Sequence, residues 1–259
     1  VLKTVWIKDP AAARERILRK LIGFDESHLV EVGRPQVDVD FPAPTMPHDD
    51  RTVVLFAPTW EGDRASMRYS SVESHGPALV RSLVATGRHR VIYRPHPRTG
   101  IVLRTTRAAH DEVIRLLHEA NKADAGAAHL VDTDGGFGWQ LAASDVAVMD
   151  ISAVAYDWLA TAKPLLVTQP AEPRARLPES GLVRELDLFT AADAGRAASV
   201  VDAAVAHPDE AHSALVRRYF GDTTPGASME RFLEACDHVI RERSAALAER
   251  TARLGAGRG

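Results

Sequence analysis

The segment 143–168 restricts the fold of this chain more than any other stretch of the sequence. The apolar run 145–149 predicts a short buried strand, residues 151–162 predict a helix, and residues 164–168 predict a second buried strand. Strands that are apolar on both faces and joined by a crossover helix are typical of a parallel sheet covered on both sides. The segment therefore predicts one strand–helix–strand unit of such a sheet.

The same alternation of apolar runs and amphipathic segments extends over most of the chain. The other predicted strands cover residues 28–32, 52–57, 90–94, 129–131 and, as the last one, 182–186. The other predicted helices cover residues 10–22, 74–86, 106–123, 138–143, 191–206, 209–218 and 227–250. This alternation predicts an α/β fold with a doubly wound, mostly parallel, Rossmann-like sheet. The sequence contains neither a G-x-G-x-x-G nor a Walker A pattern, so it does not favour an NAD or P-loop site.

A proline-rich stretch divides the chain. Residues 39–50 contain three prolines, and proline fixes φ and removes a backbone donor, so this stretch is predicted to be a linker. It follows residues 1–38, which we interpret as the remnant or the end of an N-terminal domain. The main domain is predicted over residues 51–250, and residues 251–259 are expected to form a disordered tail.

Charge and composition argue against several classes of function. A net charge of −3 gives no overall positive field, which argues against general nucleic-acid binding. The single cysteine, Cys236, excludes an internal disulfide framework and a cysteine-based zinc site. No apolar run approaches the about 20 residues that span a bilayer, and the first residues do not form a signal peptide. We therefore expect a soluble, cytoplasmic protein with a solvated basic C-terminal helix end, peripheral contact with an anionic membrane being the alternative.

Two polar turns follow the first two strands of the predicted main domain. The first turn offers the hydroxyl of Thr59 and the flat face of Trp60, although a tryptophan packed over the sheet edge would explain Trp60 equally well. In the second turn a proline follows both Arg94 and His96 and holds each of them in extended backbone. A stiff turn that presents a guanidinium and an imidazole suits phosphate binding, because arginine supplies a planar fork and histidine donates a hydrogen bond or a proton.

Two further polar turns lie at predicted helix starts. Asp150 and Ser152 stand between a strand end and a helix start, where unpaired backbone N–H groups and the helix dipole favour an anion. Asp157 lies on the same helix face as Asp150. Because carboxylates repel phosphate, the side chains of Asp150 and Asp157 are predicted to bind ribose hydroxyls, backbone donors or a basic partner. The alternative is that Asp150 is only a helix cap. The other turn contains Asp222 and Thr223, and a threonine cap there would create a second candidate anion site.

These turns together resemble the CDP-glycerol glycerophosphotransferase family, which includes the teichoic-acid primases and polymerases. The matching stretches are residues 55–60, 94–97, 144–157, 163–164 and 221–228, and residues 33–38 are similar to the segment with which such chains leave their first domain. The resemblance covers roughly residues 32–232 and implies the nucleotide-binding half of a GT-B fold. It implies a site made of Thr59, Trp60, Arg94, His96, Asp150, Ser152, Asp157, Asp222 and Thr223.

The resemblance also implies a reaction. Glycerol phosphate would pass from CDP-glycerol, or from another nucleotide-diphosphate donor, to a cell-surface polymer or its lipid-linked primer. An acceptor hydroxyl would attack the donor's β-phosphate and CMP would leave, while Arg94 and His96, as the catalytic pair, offset the charge on the diphosphate. The turn of Asp150 and Ser152, with Asp157, would contact phosphate and ribose. Neither a cofactor nor a metal is expected.

The sequence departs from the family pattern at two points. The turn reads Asp-Ile-Ser-Ala from Asp150 onward, where the family usually has Asp-Tyr-Ser-Ser, so one hydroxyl is lost. The family's amino-terminal domain contains a His-Gly motif whose histidine is the general base, and the first 40 residues of this chain, which cannot form that domain, contain no such motif. We therefore expect the chain to bind donor without completing the transfer. Two alternatives remain: a nucleotide-sugar glycosyltransferase or UDP-sugar epimerase on the same fold, and a non-catalytic nucleotide- or partner-binding module.

Overall fold

The fold is that of a computed structural model of the 259-residue chain. The structure describes residues 30–39, 41–177, 182–207 and 210–256. The predicted helix over residues 10–22 lies outside these residues, as does the first part of the predicted strand over residues 28–32. The described remainder of that segment, residues 30–32, has no regular structure.

A single sheet of parallel strands forms the centre of the described chain. The strands are β1 (Thr52–Ala57), β2 (His89–Tyr93), β3 (Leu130–Val131), β4 (Val146–Met149), β5 (Leu165–Thr168) and β6 (Leu188–Phe189). Their order is β3-β2-β1-β4-β5-β6, and every neighbouring pair is parallel. The prediction of a doubly wound parallel sheet is therefore confirmed. The strand order reverses between β1 and β4, and ligands in such sheets bind beyond the carboxyl ends of the strands at this reversal.

Helices connect the strands and cover the sheet. They are α1 (Gly76–Val84), α2 (Arg104–Ala123), α3 (Trp139–Ala143), α4 (Ala153–Leu159), α5 (Leu182–Glu185), α6 (Ala191–Ala194), α7 (Ala197–Ala206), α8 (Glu210–Phe220) and α9 (Ala227–Ala256). Leu79, Val80 and Leu83 of α1 are fully buried because their spacing places them on one helix face. They form one hydrophobic core with side chains of α2, α7 and the central strands, among them Phe56 of β1. Helix α4 packs on β4 and β5. None of the described helices is long and apolar enough to cross a membrane.

The region after β5 differs from the prediction. The prediction of a last strand over residues 182–186 is wrong, because α5 occupies this segment and the last strand, β6, follows it. Leu182 and Val183 are buried on the helix, and a short apolar run fits a buried helical turn as well as it fits a strand. The single helix predicted over residues 191–206 is divided into α6 and α7 at Gly195, a residue of low helix propensity.

The chain divides into two compact units. One unit consists of residues 40–212 and contains the sheet; the other consists of residues 1–39 together with residues 213–259. The predicted main domain, residues 51–250, therefore includes chain from both units. The predicted disordered tail is helical as far as Ala256, because α9 contains no proline and its first glycine is Gly255.

The predicted linker over residues 39–50 is irregular, with neither helix nor strand in its described residues. It is nevertheless attached to the sheet's unit. The almost fully buried guanidinium of Arg90, in β2, donates to the carbonyl oxygen of Pro47 at 3.0 Å and to the carboxylate of Asp49 at 2.8 Å. The ring of Phe41 lies against Gly138, where any Cβ would collide with it. Residues 41–50 therefore pack as part of this unit.

Candidate functional site

A cavity of about 350 Å³ lies at the carboxyl ends of β1, β2 and β4. All but one of its lining residues lie at or shortly after these strand ends, the exception being Phe137. They are Ala57, Pro58, Thr59, residues 94–97, Ser152, Ala153 and Val154. Because β1 and β4 flank the reversal in strand order, the cavity occupies the position at which open α/β sheets bind ligands. Three of the four predicted polar turns meet at this cavity.

Asp150 ties the ends of the central strands together. Its Oδ2 accepts hydrogen bonds from the backbone N–H of Thr59 at 2.7 Å and of Ser71 at 3.1 Å, and its Oδ1 accepts one from the hydroxyl of Thr168. The residue is fully buried. Of the partners predicted for this carboxylate, the structure therefore shows backbone donors. Asp150 therefore joins the turn of Ser152 to the backbone of Thr59, and it does not itself line the cavity.

We predict that Asp150 makes stability depend on pH. Burial raises the pKa of this carboxyl from 3.8 to about 6, although its hydrogen bonds act in the opposite direction. A raised folded-state pKa means that ionisation destabilises the fold as pH rises from the unfolded-state value through the folded-state value. Between about pH 4 and pH 7, the free energy of unfolding of the wild type should therefore fall by about 2–3 kcal/mol relative to that of Asp150→Asn. Urea denaturation across this interval measures the difference.

The exposed carboxylate of Glu73 provides the control for this experiment. Glu73→Gln should retain the fall in stability that Asp150→Asn removes. If the profiles of the wild type and Asp150→Asn were parallel, the buried ionisation of Asp150 would be contradicted.

Arg94 is held in a fixed orientation beside the cavity. Its Nη1 donates to Oδ2 of Asp132 at 2.6 Å, and its guanidinium carbon lies 5.2 Å from the ring centroid of Phe137. The fully buried Gln140 donates to the same oxygen of Asp132 at 2.5 Å. A charge-assisted bond on one edge and an aromatic ring beside the plane set the direction of the guanidinium fork. The remaining N–H groups of this fork are suited to an anionic ligand.

Sequence reasoning missed Asp132, Phe137 and Gln140. A usable signal was present for Asp132, because it directly follows β3, just as the predicted site residues directly follow β1, β2 and β4. No comparable signal identifies Gln140, which reaches Asp132 from helix α3.

His96 is a neutral donor in a stacked cluster of side chains. Its Nδ1 accepts a hydrogen bond from the backbone N–H of Arg98 at 3.0 Å, which leaves the proton of the neutral ring on Nε2. Burial, assisted by the charge of Arg98, lowers the pKa of His96 below its ordinary value. The ring of Trp60 stacks on that of His96 with centroids 6.1 Å apart, and the guanidinium carbon of Arg98 lies 3.7 Å from the Trp60 ring centroid.

Glu61 anchors the loop that follows this cluster, and sequence reasoning assigned it no role. Its carboxylate is almost fully buried and accepts hydrogen bonds from the backbone N–H groups of Gly100, Val102 and Leu103 at 2.9, 2.8 and 3.1 Å. Burial alone would raise the pKa of Glu61, but these hydrogen bonds outweigh it and the pKa lies below its ordinary value. Glu61 thus joins the turn after β1 to the loop after β2.

Ser152 and Asp157 were both predicted to belong to the site, but only Ser152 lies at the helix start beside the cavity. Ser152 is the N-cap residue of α4, and its buried hydroxyl has no hydrogen-bond partner in the part of the chain that the structure describes. Asp157 lies further along α4 and does not line the 350 Å³ cavity. The structure therefore brings Thr59, Arg94, His96 and Ser152 together, with Trp60 stacked behind His96.

Asp222 and Thr223 lie in the other unit, at the start of α9. The predicted threonine cap is wrong for this helix, because Asp38 supplies the cap. Asp38 accepts hydrogen bonds from the backbone N–H of Gly226 at 3.1 Å and of Met229 at 2.8 Å, and a carboxylate satisfies helix-start donors well. Asp222 instead accepts from the backbone N–H and the hydroxyl of Thr224 within its own turn.

Within the described ranges, no group of three or more histidine, cysteine, aspartate or glutamate side chains is placed to hold a metal ion. The polar groups at the cavity are instead a guanidinium, a neutral imidazole and hydroxyls. Such a set suits an anion and provides no carboxylate pair for a cation.

The chain matches one family model and the folds of known proteins. The model describes the CDP-Glycerol:Poly(glycerophosphate) glycerophosphotransferase family and matches residues 10–172, which confirms the resemblance drawn from the sequence. No protein of curated function matches the chain.

Two solved structures show the shared fold. The wall teichoic acid polymerase TagF, in a crystal soaked with CDPG, is 15% identical at a TM-score of 0.52, with 88% of this chain and 54% of that chain covered. A candidate UDP-N-acetylglucosamine 2-epimerase from Listeria monocytogenes is 15% identical at a TM-score of 0.53, with 92% and 59% covered. The chain thus spans little more than half the length of these two proteins.

Proposed function

Because the chain belongs to the CDP-glycerol:poly(glycerophosphate) glycerophosphotransferase family, we propose that it binds CDP-glycerol as a donor of glycerol phosphate in the 350 Å³ cavity. The observation that supports this most strongly is the convergence of Arg94, His96 and Ser152 on one cavity at the reversal of strand order. A planar cation, a neutral N–H donor and a hydroxyl are complementary to the non-bridging oxygens of a diphosphate.

Each of these residues has a distinct role in the proposed complex. Arg94 presents the part of its fork that Asp132 does not use to the diphosphate. The Nε2–H of His96 donates to a second oxygen, and the hydroxyl of Ser152 donates to the β-phosphate from the start of α4. Asp150 and Glu61 act as positioning residues. The Asp150 carboxylate joins the turn of Ser152 to the backbone of Thr59 after β1, and the Glu61 carboxylate holds the loop that continues from His96 after β2.

The proposed reaction is a displacement at the β-phosphorus of the donor. An acceptor hydroxyl oxygen forms a bond to this phosphorus, its proton passes to a base, and the bond between the phosphorus and the bridging oxygen of CMP breaks. Negative charge grows on the departing CMP oxygen, and Arg94 and His96 offset it. The acceptor is a poly(glycerophosphate) chain or its lipid-linked primer, so we place the reaction at the cytoplasmic face of the membrane.

Calorimetric titration with CDP-glycerol, CMP and UDP-N-acetylglucosamine tests the proposal. We expect the wild-type chain to prefer CDP-glycerol. Arg94→Ala should weaken this binding by about 10- to 100-fold, because a hydrogen bond to a charged group contributes about 1.5–3 kcal/mol. Arg115→Ala is the matched control: this exposed arginine of α2 pairs with Glu119 away from the cavity and should leave binding unchanged.

Two results would contradict the proposal. A preference for UDP-N-acetylglucosamine would favour a nucleotide-sugar enzyme on the same fold. If none of the three ligands binds, the result would favour a non-catalytic module in which the polar turns are present but do not bind a nucleotide.

A further inference from the structure

A second, smaller cavity borders the proposed donor site, and we propose that it holds the glycerol end of the donor and selects a three-carbon alcohol. This inference rests on the proposed function. The cavity has a volume of about 160 Å³ and lies between α4, β5 and α5. It is lined by two residues with hydroxyl groups, Ser152 and Tyr156, and by the apolar residues Ile151, Ala155, Val167, Leu182 and Val183.

Ser152 connects the two cavities, because it lines both of them. A β-phosphate bound beside the Ser152 hydroxyl has its nucleotide side toward Arg94 and His96. Its other substituent, the glycerol ester, then extends past Ser152 toward the smaller cavity. The buried hydroxyl of Ser152, which has no partner among the described residues, lies at this junction and can bond to the phosphoglycerol oxygen.

The volume of the smaller cavity determines which alcohols fit. An apolar cavity of about 150 Å³ accommodates benzene, which has the same number of non-hydrogen atoms as glycerol. A hexopyranose has twice as many, so the cavity is too small for the sugar of a typical nucleotide sugar. A five-carbon polyol also exceeds glycerol in length. The size therefore favours a three-carbon alcohol over both.

The lining of the smaller cavity is consistent with this occupant. Ala155, Val167 and Leu182 are apolar and buried, so they can contact the carbon edge of the alcohol. A polyol whose every hydroxyl had to be buried would lose hydrogen bonds to water against this wall. Glycerol bound through its ester oxygen at Ser152 has two free hydroxyls, and both can stay toward the opening while its carbon edge faces the apolar wall.

Substitution of Ala155 tests the alcohol site independently of the diphosphate site. Ala155 lines only the smaller cavity, whereas Ala153 of the same helix lines only the larger one. Ala155→Leu should fill the smaller cavity and weaken CDP-glycerol binding by at least about tenfold while CDP binding stays unchanged. Ala153→Leu, the matched control, should weaken both ligands. Calorimetry measures binding, and thermal unfolding shows whether each variant folds.

A second variant tests the same cavity by enlarging it. Val183→Ala removes part of the wall on α5 and should raise the affinity for CDP-ribitol relative to that for CDP-glycerol. One result would overturn the alcohol site and leave the donor proposal standing. In it, the wild type binds CDP and CDP-glycerol, Ala155→Leu weakens the binding of both ligands equally, and Val183→Ala leaves the ratio of the affinities for CDP-ribitol and CDP-glycerol unchanged. If the wild type binds neither ligand, the donor proposal itself is overturned.

Discussion

Replacing Glu61 with alanine is expected to lower the free energy of unfolding by about 3–5 kcal/mol. Three backbone N–H groups, those of Gly100, Val102 and Leu103, donate to this carboxylate. Each buried donor without an acceptor costs about 1–3 kcal/mol, and partial access to water reduces the sum. Urea denaturation at neutral pH measures the loss.

The same substitution should weaken donor binding, because the released loop also contains Arg98. Arg98 donates its backbone N–H to His96 and stacks on Trp60, so movement of the loop disturbs the tautomer and the position of His96. Calorimetric titration of Glu61→Ala with CDP-glycerol measures this effect. Glu61→Gln retains one carbonyl oxygen as an acceptor and should recover part of both the stability and the affinity.

Glu73→Ala is the control for Glu61→Ala. Glu73 also lies near the start of α2, but it accepts from the hydroxyls of Thr105 and Thr106, which can turn to water. Glu73→Ala should therefore lower the free energy of unfolding by less than about 1 kcal/mol. Equal losses for the two alanine variants would contradict the anchoring role.

The contribution of Glu61 to stability also depends on pH. Its pKa is lowered in the folded state, so its ionic contribution is present above the ordinary glutamate pKa and is lost as pH falls through the folded-state value.

The position of the site could be predicted from the sequence because of a property of parallel sheets. All carboxyl ends of parallel strands meet at one edge, so polar residues that follow successive strands converge there. This reasoning placed Thr59, Arg94 and Ser152 just after strand ends, and the family resemblance assigned them to one site. The family resemblance supplied what the pattern could not, namely the chemical class of the donor.

The supporting contacts could not be predicted, because they join residues far apart in sequence. Glu61 bonds to residues about 40 positions later, and Asp38 bonds to Gly226, 188 positions later, at the start of α9. The burial of Asp150 could not be predicted either. A polar residue between a strand and a helix can contact a ligand, or it can be buried and accept hydrogen bonds from neighbouring turns. The prediction of short elements such as α5 and β6 failed for a different reason. They contain too few residues for a helical or strand periodicity of apolar side chains to be recognised.

Replacing Asp132 with alanine is expected to lower the free energy of unfolding about as much as Glu61→Ala does, because its carboxylate serves three donors at once. Its side chain is 3% exposed and accepts from the side chains of Arg94 and Gln140 and from the backbone N–H of Asp134. Asp132→Ala leaves a buried amide and a largely buried guanidinium without their acceptor, and loss of one partner of a buried ion pair costs about 3–5 kcal/mol. Because the Arg94 side chain is 17% exposed and can reach water, we expect a value near 3 kcal/mol by urea denaturation.

A double-mutant cycle determines whether Asp132 acts through Arg94. If the two side chains form one unit, Arg94→Ala together with Asp132→Ala should cost less than the sum of the single substitutions, with a coupling of about 1 kcal/mol or more. Asp132→Asn keeps an acceptor for Gln140 but removes the charge, so it separates the hydrogen bond from the ion pair. Additive costs would mean that Asp132 does not orient Arg94. The direction of the guanidinium fork would then depend on Phe137, and Phe137→Ala rather than Asp132→Ala would weaken donor binding.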